Sequence, residues 1–138
     1  MWPLNGSAGD LTGNYVNSSV VGGDFTDDRL GNANSALMLN GTDEYVVIDG
    51  PIEVEDFTIA LWFLAEQEQY TVQTEVYPLV YVGMDSGISP DCNGFGTALT
   101  STEIVALFGC VSAPFGSSTP TPAVYGSWIH LALSFSGV

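Results

Sequence analysis

The side chains that could bind a metal ion are concentrated in predicted turns of the first half of the chain. Asp24, Asp43 and Asp49 all fall in turns around a predicted hairpin. Calcium takes about six to eight oxygen ligands from such turns, backbone carbonyls included. Because clustered carboxylates repel one another without a cation, we expect a calcium ion held by some of these three residues together with backbone carbonyls. The alternative is that they are solvated surface carboxylates, since no segment follows the EF-hand spacing.

The residues available for catalysis are few. His130 is the single histidine, and Arg29 is the single Lys or Arg. The chain therefore has neither a phosphate clamp nor a lysine for a Schiff base, and paired carboxylates are what remains for acid and base chemistry. Residues 53–55 and 66–68 both have the pattern Glu-x-Glu, but both segments resemble surface turns. We expect no catalytic residue in this chain.

The two cysteines, Cys92 and Cys110, flank two predicted strands. In a protein located outside the cell, such a pair is typical of a disulfide, and we expect these two residues to be bonded to each other. The alternative is a pair of isolated buried thiols. Two cysteines and a single histidine are too few ligands for a structural zinc site.

Asparagine side chains at Asn5, Asn17 and Asn40 lie in N-glycosylation sequons, so they are candidate glycosylation sites. A shuffled chain of this composition would contain about one sequon by chance. The sequon at Asn40 also coincides with a predicted turn, which explains its residues without a sugar. All three sites would stay bare in a bacterial protein.

The charge balance excludes several classes of partner. The chain of 138 residues has 16 Asp and Glu against one Lys or Arg, a formal net charge of −15. Nucleic acids and acidic lipid surfaces are bound through Lys and Arg, so we expect neither as a partner. No apolar run is long enough for a membrane helix, and we expect no membrane insertion. The lack of lysine favours an extracellular or cell-surface location.

Strand patterns dominate the chain, and 46% of its residues are hydrophobic, which indicates a folded protein of one domain spanning residues 1–138. Residues 57–63 and 129–135 alternate between large apolar and other side chains, as half-buried strands do. Residues 36–39 and 45–48 are predicted to pair as a hairpin, because Asn40-Gly41 tolerates the positive φ of a tight turn. No window has helical periodicity. Short strands without intervening helices predict an antiparallel sandwich or barrel.

The predicted core consists of the large apolar side chains on one face of these strands. They are Leu37, Leu39, Val46, Ile48, Phe57, Ile59, Leu61, Phe63, Ile129, Leu131, Leu133 and Phe135.

Short motifs towards both ends of the chain fall in a recognisable order and spacing. They are residues 2–6 (WPLNG), 8–14 (AGDLTGN), 29–37 (RLGNANSAL), 39–42 (LNGT), 45–48 (YVVI), 56–63 (DFTIALWF) and 126–133 (GSWIHLAL). Together they resemble the laminin-G-like jelly-roll domains of the concanavalin-A-like lectin and glucanase superfamily. The resemblance implies an all-β, two-sheet antiparallel jelly-roll sandwich. It also implies a packing and hydrogen-bonding role for His130, and calcium at the rim of the sandwich.

The family pattern extends further than this chain at both ends. It begins inside a strand before Trp2 and continues past the Trp-x-His strand into a hairpin and a closing strand. We therefore expect an incomplete domain whose closing C-terminal strands are missing from residues 1–138, completed by the rest of a longer chain or by a partner. In that case the strand 128–135 presents an unpaired edge or an uncovered apolar face. The alternative is a natural short variant.

The resemblance implies a non-catalytic extracellular recognition or adhesion module within a larger secreted or surface protein, with a glycan or an extracellular protein as its ligand. The alternative is a structural subunit or decoration of an extracellular filament, sheath or appendage, because an open sheet edge invites a neighbouring subunit's strand. Glycoside hydrolases of the superfamily use two glutamates, but the Glu-x-Glu segments lack the surrounding acidic-aromatic motif. The aromatic side chains that could stack on a sugar are Tyr70, Tyr77, Tyr81 and Tyr125.

Overall fold

The computed structural model describes residues 1–14, 17–49, 56–66, 77–82, 95–110, 113–115 and 121–136. These residues form eleven β-strands and no helix, which confirms the predicted all-β class. The strands are β1 (Asn17–Val21), β2 (Asp24–Thr26), β3 (Ala36–Met38), β4 (Tyr45–Asp49), β5 (Asp56–Leu64), β6 (Tyr77–Val82), β7 (Phe95–Leu99), β8 (Glu103–Cys110), β9 (Ala113–Phe115), β10 (Thr121–Pro122) and β11 (Trp128–Ser136). The described residues include no helix that could cross a membrane.

The chain divides into two compact units, Met1–Pro51 and Ile52–Val138. The single domain predicted over residues 1–138 stays a prediction. The first unit contains two antiparallel strand pairs, β1 with β4 and β2 with β3.

The predicted hairpin between β3 and β4 is wrong, because β3 pairs with β2 and β4 pairs with β1. Gly41 does take a positive φ of 72°, as the Asn-Gly motif requires. The loop between β3 and β4 is held by hydrogen bonds of its own side chains, and not by pairing of the two strands. Asn40 donates its backbone N–H to Glu44 Oε2 over 2.7 Å, and its carboxamide donates to Asp43 Oδ1 over 2.8 Å. The two strands leave this loop towards different partners.

The second unit contains a long antiparallel pair and a larger sheet. β5 and β11 form nine successive residue pairs, from Asp56↔Ser136 to Leu64↔Trp128, without a register shift. The larger sheet has the order β10-β8-β7-β6, and β9 also pairs with β8. Among the described strands, β11 pairs with β5 alone. The other edge of β11 therefore has no partner within the described residues.

The core of the second unit draws on both of these sheets. Phe63 of β5 is buried together with Leu99 of β7 and Ile104 of β8, and Ile129 and Leu131 of β11 pack against them. Burial of each such side chain contributes about 1.5 to 3 kcal/mol. Farther along β5, the rings of Phe57 and Phe95 stack with centroids 4.0 Å apart. The inner face of the β5–β11 pair is therefore covered by the larger sheet, as in a β-sandwich.

The predicted alternation in β5 is confirmed residue by residue. Its odd-numbered positions from Phe57 to Phe63 are buried or half-buried, and the even-numbered positions between them are exposed. In the first unit Leu39 is 36% exposed, because β3 ends at Met38 and Leu39 leaves the strand. The side chain of Phe135 lies outside the described part of the chain, and the other predicted core residues are buried or half-buried.

Candidate functional site

The surface of the β5–β11 pair that faces away from the core is exposed along most of its length. We call it the outer face. It is formed by Thr58, Ala60, Trp62 and Leu64 of β5 and by Trp128, His130, Ala132 and Ser134 of β11. Side chains on one face of a strand recur at every second residue, and the register places each of the four β5 residues opposite one of the four from β11.

Two aromatic rings meet near one end of the outer face. Trp62 is paired with His130, and their ring centroids are 5.0 Å apart with an interplanar angle of 45°. Trp62 is 46% exposed, and His130 is also exposed. Cross-strand aromatic pairs contribute about 0.2 to 1 kcal/mol relative to a pair of alanines. His130 thus contacts an exposed tryptophan, and the packing and hydrogen-bonding role that the resemblance implies for it stays a prediction.

The other end of the outer face is polar and its centre is flat. Thr58 and Ser134 lie opposite each other, and their hydroxyl oxygens are hydrogen bonded at 2.9 Å. Ala60 and Ala132 separate this hydroxyl pair from the aromatic pair. Since a strand rises about 3.3 Å per residue, roughly 13 Å separate Trp62 from Thr58. A ligand lying along the outer face would meet a stacking surface at one end and hydroxyl groups at the other.

The tyrosines proposed to grip a sugar occupy other positions. Tyr77 and Tyr125 pack against the core of the second unit, and the Tyr125 hydroxyl donates to the carbonyl oxygen of Thr100 over 2.8 Å. Tyr81 is half-buried, and burial raises its pKa. Tyr70 lies outside the described residues. The three described tyrosines thus contribute packing and hydrogen bonding.

The carboxylates proposed to bind calcium are distributed over separate elements. Asp24 begins β2, Asp43 accepts a hydrogen bond from the Asn40 carboxamide, and Asp49 ends β4. Within the part of the chain that the structure describes, no group of three His, Cys, Asp or Glu residues could hold a metal ion. The calcium site stays a prediction.

The remaining predicted sites are only partly within the described residues. Asn5 and Asn40 are exposed, and the side chain of Asn17 in β1 is outside the described set. Cys110 ends β8, whereas Cys92 is not described, so the disulfide remains a prediction. Glycosylation at the three asparagines stays a prediction as well.

The Glu-x-Glu segments also lie mostly outside the described residues. Glu66 follows β5 and is exposed, while residues 53–55 and 67–68 are not described. The absence of a catalytic residue stays a prediction.

Sequence reasoning missed the pairing of Trp62 with His130. The alternation of residues 57–63 already placed Trp62 opposite the core stripe, and His130 lies between the core residues Ile129 and Leu131. Both residues were therefore predictable as outward-facing. Their contact depends on the register between two strands that are distant in sequence.

Comparisons with known proteins add one partial match. No family model matches the chain, and no solved structure matches it. Over 86 aligned residues, the chain is 27% identical to the β subunit of the ADP-forming succinate–CoA ligase of Neorickettsia sennetsu. The match covers 57% of this chain and 22% of that subunit. Similarity at this level over so small a part of the enzyme establishes neither a shared family nor a shared activity.

Proposed function

We propose that this chain is a non-catalytic recognition or adhesion module that binds a glycan or an extracellular protein on the outer face. The observation that carries the proposal is the exposed pair of Trp62 and His130 on a regular strand ladder. Tryptophan is among the residues most enriched at binding hot spots, because it offers a large apolar surface with few rotatable bonds.

The rigidity of the β5–β11 pair supports this proposal. The inner face of the pair packs on the core through Leu61, Phe63, Ile129 and Leu131. Trp62 and His130 therefore project from a backbone that is held by both strand pairing and packing. A binding surface built on such an element loses little conformational entropy when a ligand binds.

The setting of the module is part of the same proposal. We place it outside the cell or at the cell surface, as a laminin-G-like jelly roll within a larger secreted or surface protein. The sandwich-like packing of the second unit, the order of the sequence motifs and the absence of lysine support this assignment.

A glycan array and a peptide array, each probed with the intact chain and with Trp62→Ala, test the proposal. Tyr45→Ala is the matched control, since Tyr45 is 51% exposed and is not part of the outer face. We expect ligands whose binding is lost in Trp62→Ala and retained in Tyr45→Ala. If every ligand that binds the intact chain also binds Trp62→Ala equally well, the outer face is not the recognition surface.

A structural subunit of an extracellular filament, sheath or appendage is the second candidate. β11 contains no charged Asp, Glu, Lys or Arg and no proline, and such residues are what natural proteins place on edges to prevent strand addition. Among the described strands β11 pairs with β5 alone, and in this second proposal a copy of the chain pairs with its other edge. Light scattering across a concentration series separates the two candidates. Growth of linear oligomers supports the structural role, and a constant monomer mass contradicts it.

A further inference from the structure

We propose that the ligand of the outer face is a basic polypeptide segment, in extended conformation, with an Arg or Lys side chain placed over the ring of Trp62. This inference rests on the proposed function and names the class of ligand for the same surface. Three observations carry it: the charge of the chain, the chemistry of the outer face and the carboxylates at its ends.

The chain cannot neutralise its own carboxylates. It has 16 Asp and Glu and a single cationic side chain, Arg29. A net charge of −15 creates a potential that attracts cations and repels anions over several ångströms. A basic ligand gains from this field, a neutral oligosaccharide does not, and a sulfated or uronic-acid glycan is repelled. Charge complementarity therefore favours a basic partner.

The outer face offers a specific place for a cation within that general attraction. Its eight residues, from Thr58 to Leu64 on β5 and from Trp128 to Ser134 on β11, include no Asp or Glu. The ring of Trp62 is half-exposed, and tryptophan forms stronger cation–π contacts than tyrosine or phenylalanine. Arginine combines this contact with stacking of its planar guanidinium on the indole. The aromatic end thus favours a cation through its ring geometry, and the net negative charge of the whole chain adds to this preference.

Carboxylates stand at both ends of β5. Asp56 begins the strand and is exposed, and Glu66 is exposed two residues after its last position. At about 3.3 Å per residue, Asp56 lies roughly 20 Å from Trp62 along the strand. An extended segment with basic residues at alternate positions presents a positive charge about every 7 Å. Such a segment can place one cation on Trp62 and others near Asp56 and Glu66.

Isothermal titration calorimetry tests this inference with three capped heptapeptides, which span about 20 Å when extended: Arg-Ser-Arg-Ser-Arg-Ser-Arg, Gln-Ser-Gln-Ser-Gln-Ser-Gln and Glu-Ser-Glu-Ser-Glu-Ser-Glu. We expect binding of the arginine peptide only. Trp62→Ala should weaken this binding about tenfold, the effect of losing a partly desolvated cation–π contact. Trp62→Phe should retain part of the affinity, and Tyr45→Ala should retain all of it.

Two variants that each remove one charge distinguish binding at the outer face from non-specific attraction by the net charge of the chain. Asp56→Asn and Glu103→Gln each remove one negative charge from the second unit. Glu103 begins β8 in the larger sheet, which covers the inner face of the β5–β11 pair. We expect Asp56→Asn to weaken binding of the arginine peptide several-fold and Glu103→Gln to change it little, because close charges are screened less than distant ones. Equal losses in the two variants would show attraction by net charge alone and would overturn the inference.

The remaining outcomes distinguish this inference from the proposed function. If Trp62→Ala leaves arginine-peptide binding unchanged but abolishes binding of a neutral oligosaccharide, the basic ligand is wrong and the recognition module stands. If no probe binds in a manner that depends on Trp62, both are wrong. Far-ultraviolet circular dichroism of every variant verifies that it retains the strand content of the intact chain.

Discussion

The hydroxyl of Tyr125 donates a hydrogen bond to the carbonyl oxygen of Thr100, 2.8 Å away, and so ties the segment before β11 to the turn between β7 and β8. The neighbouring backbone makes two further attachments. Ala123 donates its N–H to Thr102 O over 2.9 Å, and Gly126 donates to Ala65 O over 2.8 Å. β11 therefore begins at a defined point, which sets the position of the aromatic end of the outer face.

Tyr125→Phe should destabilise the second unit by about 0.5 to 1.5 kcal/mol, the net contribution of one protein hydrogen bond. The substitution keeps the ring that packs against the core and removes only the hydroxyl. Urea unfolding followed by circular dichroism measures the change in the free energy of unfolding. Tyr45→Phe is the control, because Tyr45 is 51% exposed. Equal stability of Tyr125→Phe and the intact chain would contradict a structural role for the hydroxyl.

Stability should fall at alkaline pH, in part because of the same residue. Burial raises the pKa of Tyr125 and of Tyr81 above the ordinary value. A tyrosine whose pKa is higher in the folded state keeps its proton longer there than in the unfolded chain. Its contribution is complete below about pH 10 and is lost as the pH rises further. Urea midpoints from pH 8 to 11 measure this decline, and we expect a shallower decline in Tyr125→Phe.

The loop between β2 and β3 should be sensitive to Asp28. The Asp28 carboxylate accepts hydrogen bonds from the backbone N–H groups of Leu30 and Asn32 and from the Asn32 carboxamide, at 2.8 to 2.9 Å. The bonds from Asn32 are the main reason that the pKa of Asp28 lies below its ordinary value. A lowered carboxyl pKa contributes stability above the ordinary Asp range, and that contribution is lost as the pH falls.

Trypsin reports on this loop directly, because Arg29 is the single Lys or Arg of the chain. Asp28→Ala should raise the rate of cleavage after Arg29 several-fold, since the loop loses the bonds that close it. Asp27→Ala, its immediate neighbour, is the control and should leave the rate nearly unchanged. Equal rates in the two variants would mean that the Asp28 hydrogen bonds do not restrain the loop.

Gly96→Ala should destabilise the sheet of the second unit. Gly96 is buried in β7 opposite Tyr81, and a Cβ at this position would overlap the carbonyl oxygen of Val80 and the ring of Tyr81. Forcing a methyl group into such a contact costs about 1 to 3 kcal/mol. At Gly9 the nearest atom to an added Cβ is Ser7 Oγ at 3.6 Å, so Gly9→Ala is a suitable control. Thermal unfolding compares the two, and a midpoint of Gly96→Ala equal to that of Gly9→Ala would contradict the close approach.

The sequence predicts the individual strands better than their partners. Alternation identified β5 and β11 because both are regular and face a core on one side. The prediction of a hairpin at Asn40-Gly41 is wrong because turn residues specify a local bend but not which strands pair on either side of it. In the first unit Gly22 and Gly23, both with positive φ, separate β1 from β2, and these two strands pair with β4 and β3 respectively.

For the candidate site, too, the sequence predicts the positions of single residues better than the contacts between them. Residue types and alternation assign Trp62 and His130 to outward positions, but their contact requires the register of β5 against β11. That register depends on the packing of Phe63 and Leu131 on the larger sheet, which is a property of the folded unit. The tyrosines expected at the site carry the same sequence signal as core aromatics, so only their burial distinguishes them.

Amide-resolved nuclear magnetic resonance during titration with the arginine peptide tests the central claim, that the outer face is the binding surface. We predict that the largest shifts fall on residues 58–64 of β5 and 128–134 of β11, including the indole N–H of Trp62, and that Trp62→Ala abolishes them. Shifts spread evenly over acidic loops such as 40–44, with β5 and β11 unchanged, would contradict the claim.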